Sequence, residues 1–298
     1  MAGDDFKCGY VALIGAPNVG KSTLLNRLVA EKVAITSPRP QTTRHRLCAV
    51  VHRPEAQLLF LDSPGIIDAR GALNKTLVRA ALNALAEADV VVWLVTPQEA
   101  EAQTRIISSH LARSGKPIVI AINKIDTIPK ADLLPLIVDY HQLFPAAAVL
   151  PIAALYGDGL PALLEEIMAL LPHAPPLYPS EQLTDRSERF LAAELIRERV
   201  FHHTVQEIPY AVAVQIDEFD ERQRPQLVRI RAIIYVERAS QKGIVIGKHG
   251  RRLKTIGQEA RADIEALLQC QVYLELWVKV WKNWRKDPQA LRQLGYLE

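Results

Sequence analysis

One short segment near the start of the chain restricts its fold more than any other. Residues 15–22 read Gly-Ala-Pro-Asn-Val-Gly-Lys-Ser, which fits the pattern G-x-x-x-x-G-K-[ST]. An apolar, strand-like run at 10–14 precedes the segment, and leucines at helical spacing follow it. A strand, a glycine-rich loop and a helix N-terminus in this order form a nest of backbone N–H groups that favours phosphate. The segment therefore predicts a phosphate-binding loop. A chance match in an ordinary turn is the alternative, and the flanking pattern disfavours it.

The residue types in this loop indicate how it would hold a nucleotide. Gly15 and Gly20 allow the backbone to approach phosphate closely. Lys21 is expected to reach the β- and γ-phosphates, and the Ser22 hydroxyl to ligate Mg²⁺. The loop residues predicted to bind nucleotide are Gly15, Ala16, Pro17, Asn18, Val19, Gly20, Lys21, Ser22 and Thr23.

Two further short motifs follow strand-like runs. Asp62-Ser63-Pro64-Gly65 comes after a run at 57–61, and Asn123-Lys124-Ile125-Asp126 after a buried-strand pattern at 117–122. Asp62 is suited to hold Mg²⁺ and the Gly65 amide to face a γ-phosphate, while Asp126 can accept two hydrogen bonds from guanine N1–H and N2–H₂. Adenine lacks these donors, so a site of this kind discriminates strongly. The second and third sets of predicted nucleotide-binding residues are Asp62, Ser63, Pro64 and Gly65, and Asn123, Lys124 and Asp126.

These three motifs, in this order, resemble those of the translation-factor-like class of P-loop GTPases. The resemblance implies an α/β fold in which a P-loop GTPase domain of three layers (α/β/α) carries the site. It also implies a fifth element after the next strand, here Ala153-Ala154-Leu155, where Ala153 replaces the usual Ser. We expect these three residues to bind the guanine, with Ala153 lowering affinity more than it changes base identity.

The polar, proline-containing stretch at 36–46 is predicted to be a mobile loop. In P-loop GTPases it corresponds to switch I, where one Thr closes on Mg²⁺ when the γ-phosphate is present. The Thr-Thr-Arg sequence favours Thr43 over Thr42 for this role; a solvated loop without a ligand is the alternative. The resemblance thus gives Ser22, Thr43 and Asp62 as metal ligands, and Lys21, Thr43 and Gly65 as catalytic residues.

Ile66 stands where many GTPases carry the Gln that orients the attacking water. An aliphatic side chain cannot do this, so slow intrinsic hydrolysis is expected. Related proteins with Asn at the position of Asn18 use it to hold K⁺, which adds positive charge near the phosphates. Two interpretations of Asn18 therefore stay open: a K⁺ ligand, or a residue that only caps the loop.

A second motif lies far downstream. Residues 244–250 read Ile-Val-Ile-Gly-Lys-His-Gly, the Ile-Gly-x-x-Gly loop of a K-homology (KH) domain, and an amphipathic, helix-length pattern follows at 251–268. Such a loop clamps a nucleic-acid backbone while bases enter an adjoining apolar groove. A helix-start turn without a ligand is the alternative. The residues predicted to bind RNA are Ile246, Gly247, Lys248, His249, Gly250, Arg251 and Lys254.

The elements around this loop predict a smaller α+β domain. A helix is expected over 185–200, strands over 210–216, 227–236 and 272–280, and the helix after the loop over 251–268. The order α-β-β-α-α-β is that of a type II KH domain. Basic residues alternate with Trp281 and Trp284 at 279–286; this pattern suits nucleic acid, and aromatic packing is an equal alternative.

Length and composition fit two domains. A proline-rich stretch predicts the division: a GTPase domain at 1–171, a semi-rigid linker at 172–181 and the KH domain at 182–298. Residues 180–298 hold 20 basic and 17 acidic side chains and so carry all of the net charge of +3. The three scattered cysteines indicate reduced thiols in a cytosolic setting, and no long apolar run predicts a signal peptide or membrane span.

Taken over nearly the whole chain, the motifs resemble the bacterial Era family of ribosome-associated GTPases. Further matching segments lie at 41–46, 185–187, 274–280 and 294–296. The resemblance implies GTP and GDP as ligands, binding to the 3′ end of small-subunit ribosomal RNA and the 30S subunit, and a role in subunit maturation. It also implies a cytoplasmic monomer with peripheral association at the inner membrane.

The mechanism that follows is a coupled switch. GTP and Mg²⁺ would order residues 36–46 through Thr43 and thereby favour RNA binding, so RNA and GTP would strengthen each other's binding equally. One rival is a GTP-gated membrane or cell-cycle regulator whose second domain docks proteins; the intact loop at 247–250 disfavours it. Another is an NTPase without base selectivity, which the motif at 123–126 disfavours.

Overall fold

The computed structural model describes residues 5–37, 43–65 and 72–297. Its internal contacts divide the chain into two compact units. The first takes nearly all described residues up to Asp185, and the second runs from Arg186 onward. The expected fold class is confirmed, because the first unit is an α/β domain around one mainly parallel sheet and the second is a smaller α+β domain.

A six-stranded sheet organises the first unit, with strand order β2-β3-β1-β4-β5-β6. Only the β2–β3 pair within it is antiparallel. All six residues of β4 are buried, which is the pattern of a strand covered on both faces. The strands are β1 (Lys7–Ile14), β2 (Leu47–His52), β3 (Ala56–Asp62), β4 (Val90–Val95), β5 (Ile118–Ile122) and β6 (Ala148–Pro151). The helices are α1 (Lys21–Val29), α2 (Ala72–Glu87), α3 (Glu101–Ser114), α4 (Leu133–Leu143) and α5 (Leu160–Leu170).

This sheet brings the predicted motifs to one edge. The strands β1, β3, β5 and β6 run parallel, so their carboxyl ends meet there. The phosphate loop follows β1, Asp62 ends β3, Asn123 follows β5 and Ala153 follows β6. Ligand sites in open α/β sheets lie at this edge.

The proline-rich stretch at 172–181 differs from the prediction, since it belongs to the first unit and is not a free spacer. The Cys8 amide donates to Pro172 O at 3.1 Å, and the Val50 amide donates to Leu183 O at 2.9 Å. Contacts of this kind continue to Asp185, whose carboxylate accepts from the Cys48 amide at 2.9 Å. The division between the units therefore falls after the predicted linker.

One buried side chain fixes the middle of this stretch. Gln57, at 1 % exposure, accepts from the amides of Leu177 and Tyr178 at 2.7 and 3.0 Å through Oε1. Its Nε2 donates to Tyr178 O at 2.8 Å. The side-chain amide thus pairs with the passing backbone much as a neighbouring strand would.

The second unit packs helices on a three-stranded sheet of order β7-β8-β9. The β7–β8 pair is antiparallel and β8–β9 is parallel, so the chain crosses over between β8 and β9 through two helices. This is the predicted order around the Gly-x-x-Gly loop. The elements are α6 (Glu188–His203), α7 (Ile208–Ala211), β7 (Ala213–Gln223), β8 (Leu227–Val236), α8 (Ala239–Ile246), α9 (Arg251–Leu268), β9 (Gln271–Val280) and α10 (Pro288–Gln293).

Two elements of this unit differ from the prediction at both ends, since α6 runs on to His203 instead of ending at residue 200 and β7 runs on to Gln223 instead of ending at residue 216. The helix expected from residue 185 begins at Glu188, because the Ser187 side chain caps it by accepting from the Phe190 amide. The strand expected from Tyr210 begins at Ala213, because Pro209 stands in the first turn of α7. Proline favours that position of a helix.

Packing explains the tryptophans near the end of the chain. Trp284 is fully buried, donates through Nε1 to Ala211 O at 3.0 Å and stacks on Tyr296. Trp281 meets the Tyr235 ring edge-on at a centroid distance of 5.1 Å. These contacts support the packing interpretation over an aromatic nucleic-acid platform. Among the residues described, no helix is both long and apolar enough to cross a membrane.

Candidate nucleotide-binding and nucleic-acid-binding sites

The phosphate loop has the geometry that its glycines predict. A Cβ on Gly15 would lie 2.3 Å from Leu94 O. Gly20 has φ +102°, and a Cβ there would lie 2.3 Å from Asn123 Nδ2. Both positions therefore require glycine, since the first meets backbone and the second combines left-handed backbone with a close neighbour.

The Lys21 side chain is enclosed by the phosphate loop. Its Nζ donates to Gly15 O at 3.1 Å and to Ala16 O at 2.9 Å. Burial lowers the pKa of Lys21 to about 8, and the negative charge of Asp62 opposes that shift. A phosphate in the loop would supply the negative charge that this buried ammonium lacks.

The three predicted metal ligands come together, and they arrive from three separate parts of the chain. The Ser22 hydroxyl donates to Asp62 Oδ2 at 2.9 Å and lies 2.9 Å from Thr43 Oγ1. Thr43 Oγ1 also donates to Asp62 Oδ2, at 3.2 Å. Two hydroxyls and a carboxylate present the hard oxygen ligands that Mg²⁺ prefers.

Asp62 shows that this cluster fits a cation. It is fully buried, and Oδ1 has no hydrogen-bond partner among the described residues. Burial raises the pKa of Asp62, while Lys21 and the hydroxyls of Ser22 and Thr43 act in the opposite direction. Mg²⁺ would satisfy the free oxygen and stabilise the ionised carboxylate, so the residues present fit this ion.

The base-recognition motif is fastened to the phosphate loop. Asn123 is 3 % exposed; its Nδ2 donates to Val19 O at 2.7 Å and its Oδ1 accepts from the Ala154 amide at 2.9 Å. Lys124 Nζ donates to Asn18 O at 2.7 Å. Asp126 is exposed next to this frame, where a base can reach its carboxylate.

Further residues predicted to bind nucleotide follow the same strands of the sheet. Ala153 and Ala154 are buried and Leu155 is 64 % exposed. A Cβ on Gly65 would lie 2.7 Å from Pro17 N, so this glycine touches the phosphate loop. Ser63 is buried and donates to Leu13 O at 3.2 Å. Thr42 and Ile66 lie outside the described residues.

One carboxyl group near this site carried no sequence signal. Glu99 follows β4, and both of its carboxylate oxygens are buried. Burial raises the pKa of Glu99 to about 7, while the backbone of Thr96 and the charge of Lys21 act in the opposite direction. No motif includes this position, so only the fold reveals it.

The Gly-x-x-Gly loop in the second unit connects α8 to α9. Gly247 has φ +74°, and a Cβ there would lie 2.7 Å from Arg252 Cβ. Gly250 has φ +73° at the start of α9 and has open space around it. Lys248 and His249 between them are exposed, so the loop presents a cation and unobstructed backbone.

A groove begins at this loop and runs between α9 and β9. Its volume is about 440 Å³. Of the residues predicted to bind RNA, Gly250 and Lys254 line it, Arg251 is exposed beside it, and Ile246 packs partly against the core. The prediction did not include the opposite wall. Groove residues outside the predicted set are Leu253, Gly257, Gln258, Arg261, Tyr273, Leu274 and Leu276.

Fold and sites together define a P-loop GTPase domain joined to a KH domain. A family model described as "50S ribosome-binding GTPase" matches residues 10–124, and a KH domain model matches residues 207–285. GTPase Era of Geobacter metallireducens is 48 % identical over 297 residues, covering 99 % of this chain and 100 % of the relative. GTPase Era of Lactobacillus helveticus is 45 % identical over 296 residues, with 99 % and 98 % covered. The chain belongs to the GTPase Era family.

Two solved Era structures match the whole fold. Era in complex with MgGDPNP and nucleotides 1506–1542 of 16S ribosomal RNA has a TM-score of 0.95 at 42 % identity, covering 98 % of this chain and 100 % of that one. A variant of Aquifex aeolicus Era bound to GDP and AlF₄⁻ has a TM-score of 0.95 at 41 % identity, with the same coverage.

Proposed function

We propose that this protein is a GTP-hydrolysing switch that binds the 3′ end of small-subunit ribosomal RNA in its GTP state and assists maturation of the 30S subunit. The observation that carries the proposal is the Ser22–Thr43–Asp62 cluster in the same chain as an intact Gly-x-x-Gly groove. A relative with 42 % identity was solved with Mg²⁺, a GTP analogue and 16S ribosomal RNA together.

In this proposal the residues of the first unit divide the work on GTP. The loop at 15–23 holds the phosphates, and Lys21 neutralises charge on the β- and γ-phosphates. Ser22, Thr43 and Asp62 hold Mg²⁺, which supplies positive charge to the transferring phosphoryl group when bound. Asp126 reads the guanine.

Thr43 makes the site sensitive to the γ-phosphate. Its hydroxyl joins the stretch at 36–46 to Ser22 and Asp62. When the γ-phosphate is lost, the contact between Thr43 and the metal ion weakens. GTPase switches release this loop in the same way after hydrolysis. Coupling between ligands is reciprocal. If GTP raises the affinity for RNA by some factor relative to GDP, bound RNA therefore raises the preference for GTP over GDP by that same factor.

Fluorescence anisotropy with a labelled RNA of the small-subunit 3′ end tests the proposal. We expect tight binding with a non-hydrolysable GTP analogue and weaker binding with GDP. Lys248→Glu should weaken binding because it reverses the loop's charge, whereas Lys130→Glu, an equal change on the first unit, should not. Equal binding with both nucleotides would remove the coupling, and no binding in either state would refute the RNA function.

We further propose that K⁺ assists hydrolysis through Asn18. The residue lies in the phosphate loop with φ 64°, and its backbone oxygen accepts from Lys124. Turnover measured in KCl and in NaCl at matched ionic strength tests this, with Asn18→Ala as the variant. Equal turnover in the two salts would contradict it.

The proposed location is the cytoplasm, with peripheral association at the inner membrane, and the proposed state is a monomer. Reduced cysteines support the first part: Cys8 and Cys48 are buried as free thiols. Co-sedimentation with vesicles of inner-membrane lipids tests the second. Light scattering at micromolar concentration tests the monomer, which a mass near twice that of the chain would contradict.

A further inference from the structure

A glycine lies in the interior of α9, where the fold does not call for one. Gly257 has ordinary helical backbone, since it is absent from the positive-φ glycines of the described residues. A Cβ built on it would have a single neighbour within 4 Å, Leu276 Cδ1 at 3.4 Å. That distance is an ordinary van der Waals contact, so alanine fits the folded helix.

Helix propensity argues against glycine at this position. Glycine loses more conformational freedom in a helix than alanine does, and its methyl-free surface adds no packing. Gly15, Gly20 and Gly247 each have a steric reason to be glycine, but Gly257 has none inside the protein. The effect of glycine at this position is therefore to leave open the space next to the helix that a side chain would fill.

That space is part of the groove that begins at Gly250. Gly257 lies on the groove wall, with Leu253 and Lys254 on the same face of α9 and Leu276 opposite on β9. Tyr273, 58 % exposed, stands farther along β9 on the same groove. The groove thus offers apolar surface deep inside and a cation at its rim.

We propose that Gly257 is the floor of a pocket for one base of single-stranded RNA, and that its missing side chain sets the depth to which this base enters. The inference rests on the proposed RNA function and adds a determinant of base fit to it. Continuity with the loop at 247–250 supports RNA as the occupant, since a strand whose phosphates lie on that loop directs its bases into this groove. Lys254 at the rim complements the strand's charge.

The test compares Gly257→Ala with a matched change at Gly243. Gly243 is also a glycine inside a helix, α8; a Cβ there meets nothing within 4 Å, and it does not line the groove. Both variants should melt at or above the wild-type temperature, because alanine is the better helix former. Only Gly257→Ala should weaken binding of the 3′-end RNA in the GTP-analogue state, by about tenfold, the scale of losing the packing of one base.

Abasic RNA identifies the base concerned. Removing one base at a time should reveal a position whose loss weakens wild-type binding but weakens Gly257→Ala binding much less. Such non-additivity reports direct contact between the residue and the base. A Gly257→Ser variant should behave as the alanine variant does, with a somewhat larger loss.

The outcomes separate this inference from the proposed function. If wild type binds RNA and Gly257→Ala binds it equally well, the proposed pocket is wrong and the RNA function stands. The same conclusion follows if Gly257→Ala and Gly243→Ala weaken RNA binding to the same extent. Strictly additive losses at every abasic position would also overturn it. No binding by wild type in either nucleotide state would overturn both.

Discussion

The side-chain amide of Asn123 donates to the backbone oxygen of Val19 at 2.7 Å and so ties the base-recognition loop to the phosphate loop. Its amide oxygen holds the Ala154 amide at 2.9 Å. Three loops at the sheet edge therefore share one buried side chain. The proposed phosphate and guanine contacts would thereby be held at a fixed separation before a nucleotide binds, which lowers the ordering cost of binding.

Replacing Asn123 with Ala should lower GDP affinity by about 30-fold or more. Without the two buried hydrogen bonds to Val19 O and the Ala154 amide, the loops have to be ordered when the nucleotide binds, at a cost of about 1–3 kcal/mol for each lost bond. Titration with a fluorescent GDP analogue measures the effect. Gln142→Ala, an exposed change on α4, serves as control and should bind as wild type does. An unchanged affinity in Asn123→Ala would show that the loops hold their positions without it.

Thr43 gives a prediction about catalysis. Thr43→Ala should slow GTP hydrolysis by at least about tenfold, because a hydroxyl that touches both Ser22 and Asp62 is lost from the proposed Mg²⁺ site. The Mg²⁺ concentration needed for half-maximal turnover should rise as well. GDP binding should change little, since the ligand role depends on the γ-phosphate.

The neighbouring residue supplies the matched control for that experiment. Thr42→Ala removes the same groups from the adjacent position in the Thr-Thr-Arg sequence. We expect its hydrolysis rate to stay near that of wild type. A slow Thr42→Ala with a normal Thr43→Ala would transfer the metal role to Thr42.

The motifs of the first unit, and the strands that directly precede them, were predictable because local sequence determines them. Residues 15–22 carry their strand, loop and helix with them, and the apolar runs before Asp62 and Asn123 mark buried parallel strands. Their meeting at one edge follows from parallel topology. In the second unit, the period of apolar residues located β8 and α9 at the bounds that the structure shows.

Contacts between distant residues set the limits of prediction. A proline-rich composition indicates an extended linker, but the contact of Gln57 with Leu177 and Tyr178 joins residues about 120 positions apart. Gln57 was visible only as part of a strand. Glu99 and Gly257 belong to no motif. Glu99 is recognised only from its burial in the folded protein, and Gly257 only from its position in the groove wall.

Gln57 should anchor the segment at 172–185. Gln57→Leu keeps the volume but leaves two amides and one carbonyl of that segment without their partners, so the free energy of unfolding of the first unit should fall by about 2–4 kcal/mol. Limited proteolysis should cut Gln57→Leu faster near 172–185 than wild type. Gln142→Leu, the same change at an exposed site, should alter neither property. Equal cleavage of wild type and Gln57→Leu would mean that the other contacts hold the segment alone.

Glu99 predicts a pH-dependent change in stability. Burial raises the pKa of Glu99 to about 7 from an ordinary 4.5, against the effect of Lys21. Burial also raises the pKa of nearby Tyr140, and the charge of Glu99 adds to that shift. Because the folded state binds this proton more tightly than the unfolded state, the stabilising contribution is full below about pH 4.5 and is lost as pH rises through about 7. Glu99→Gln cannot ionise, so its free energy of unfolding should exceed that of wild type by roughly 1–3 kcal/mol at pH 8, and the two values should converge below about pH 4.5. Urea unfolding across this range measures the difference, with Glu165→Gln as an exposed control that should show no such trend. A gap between Glu99→Gln and wild type that stays constant with pH would mean that Glu99 ionises normally and that the packing after β4 admits water.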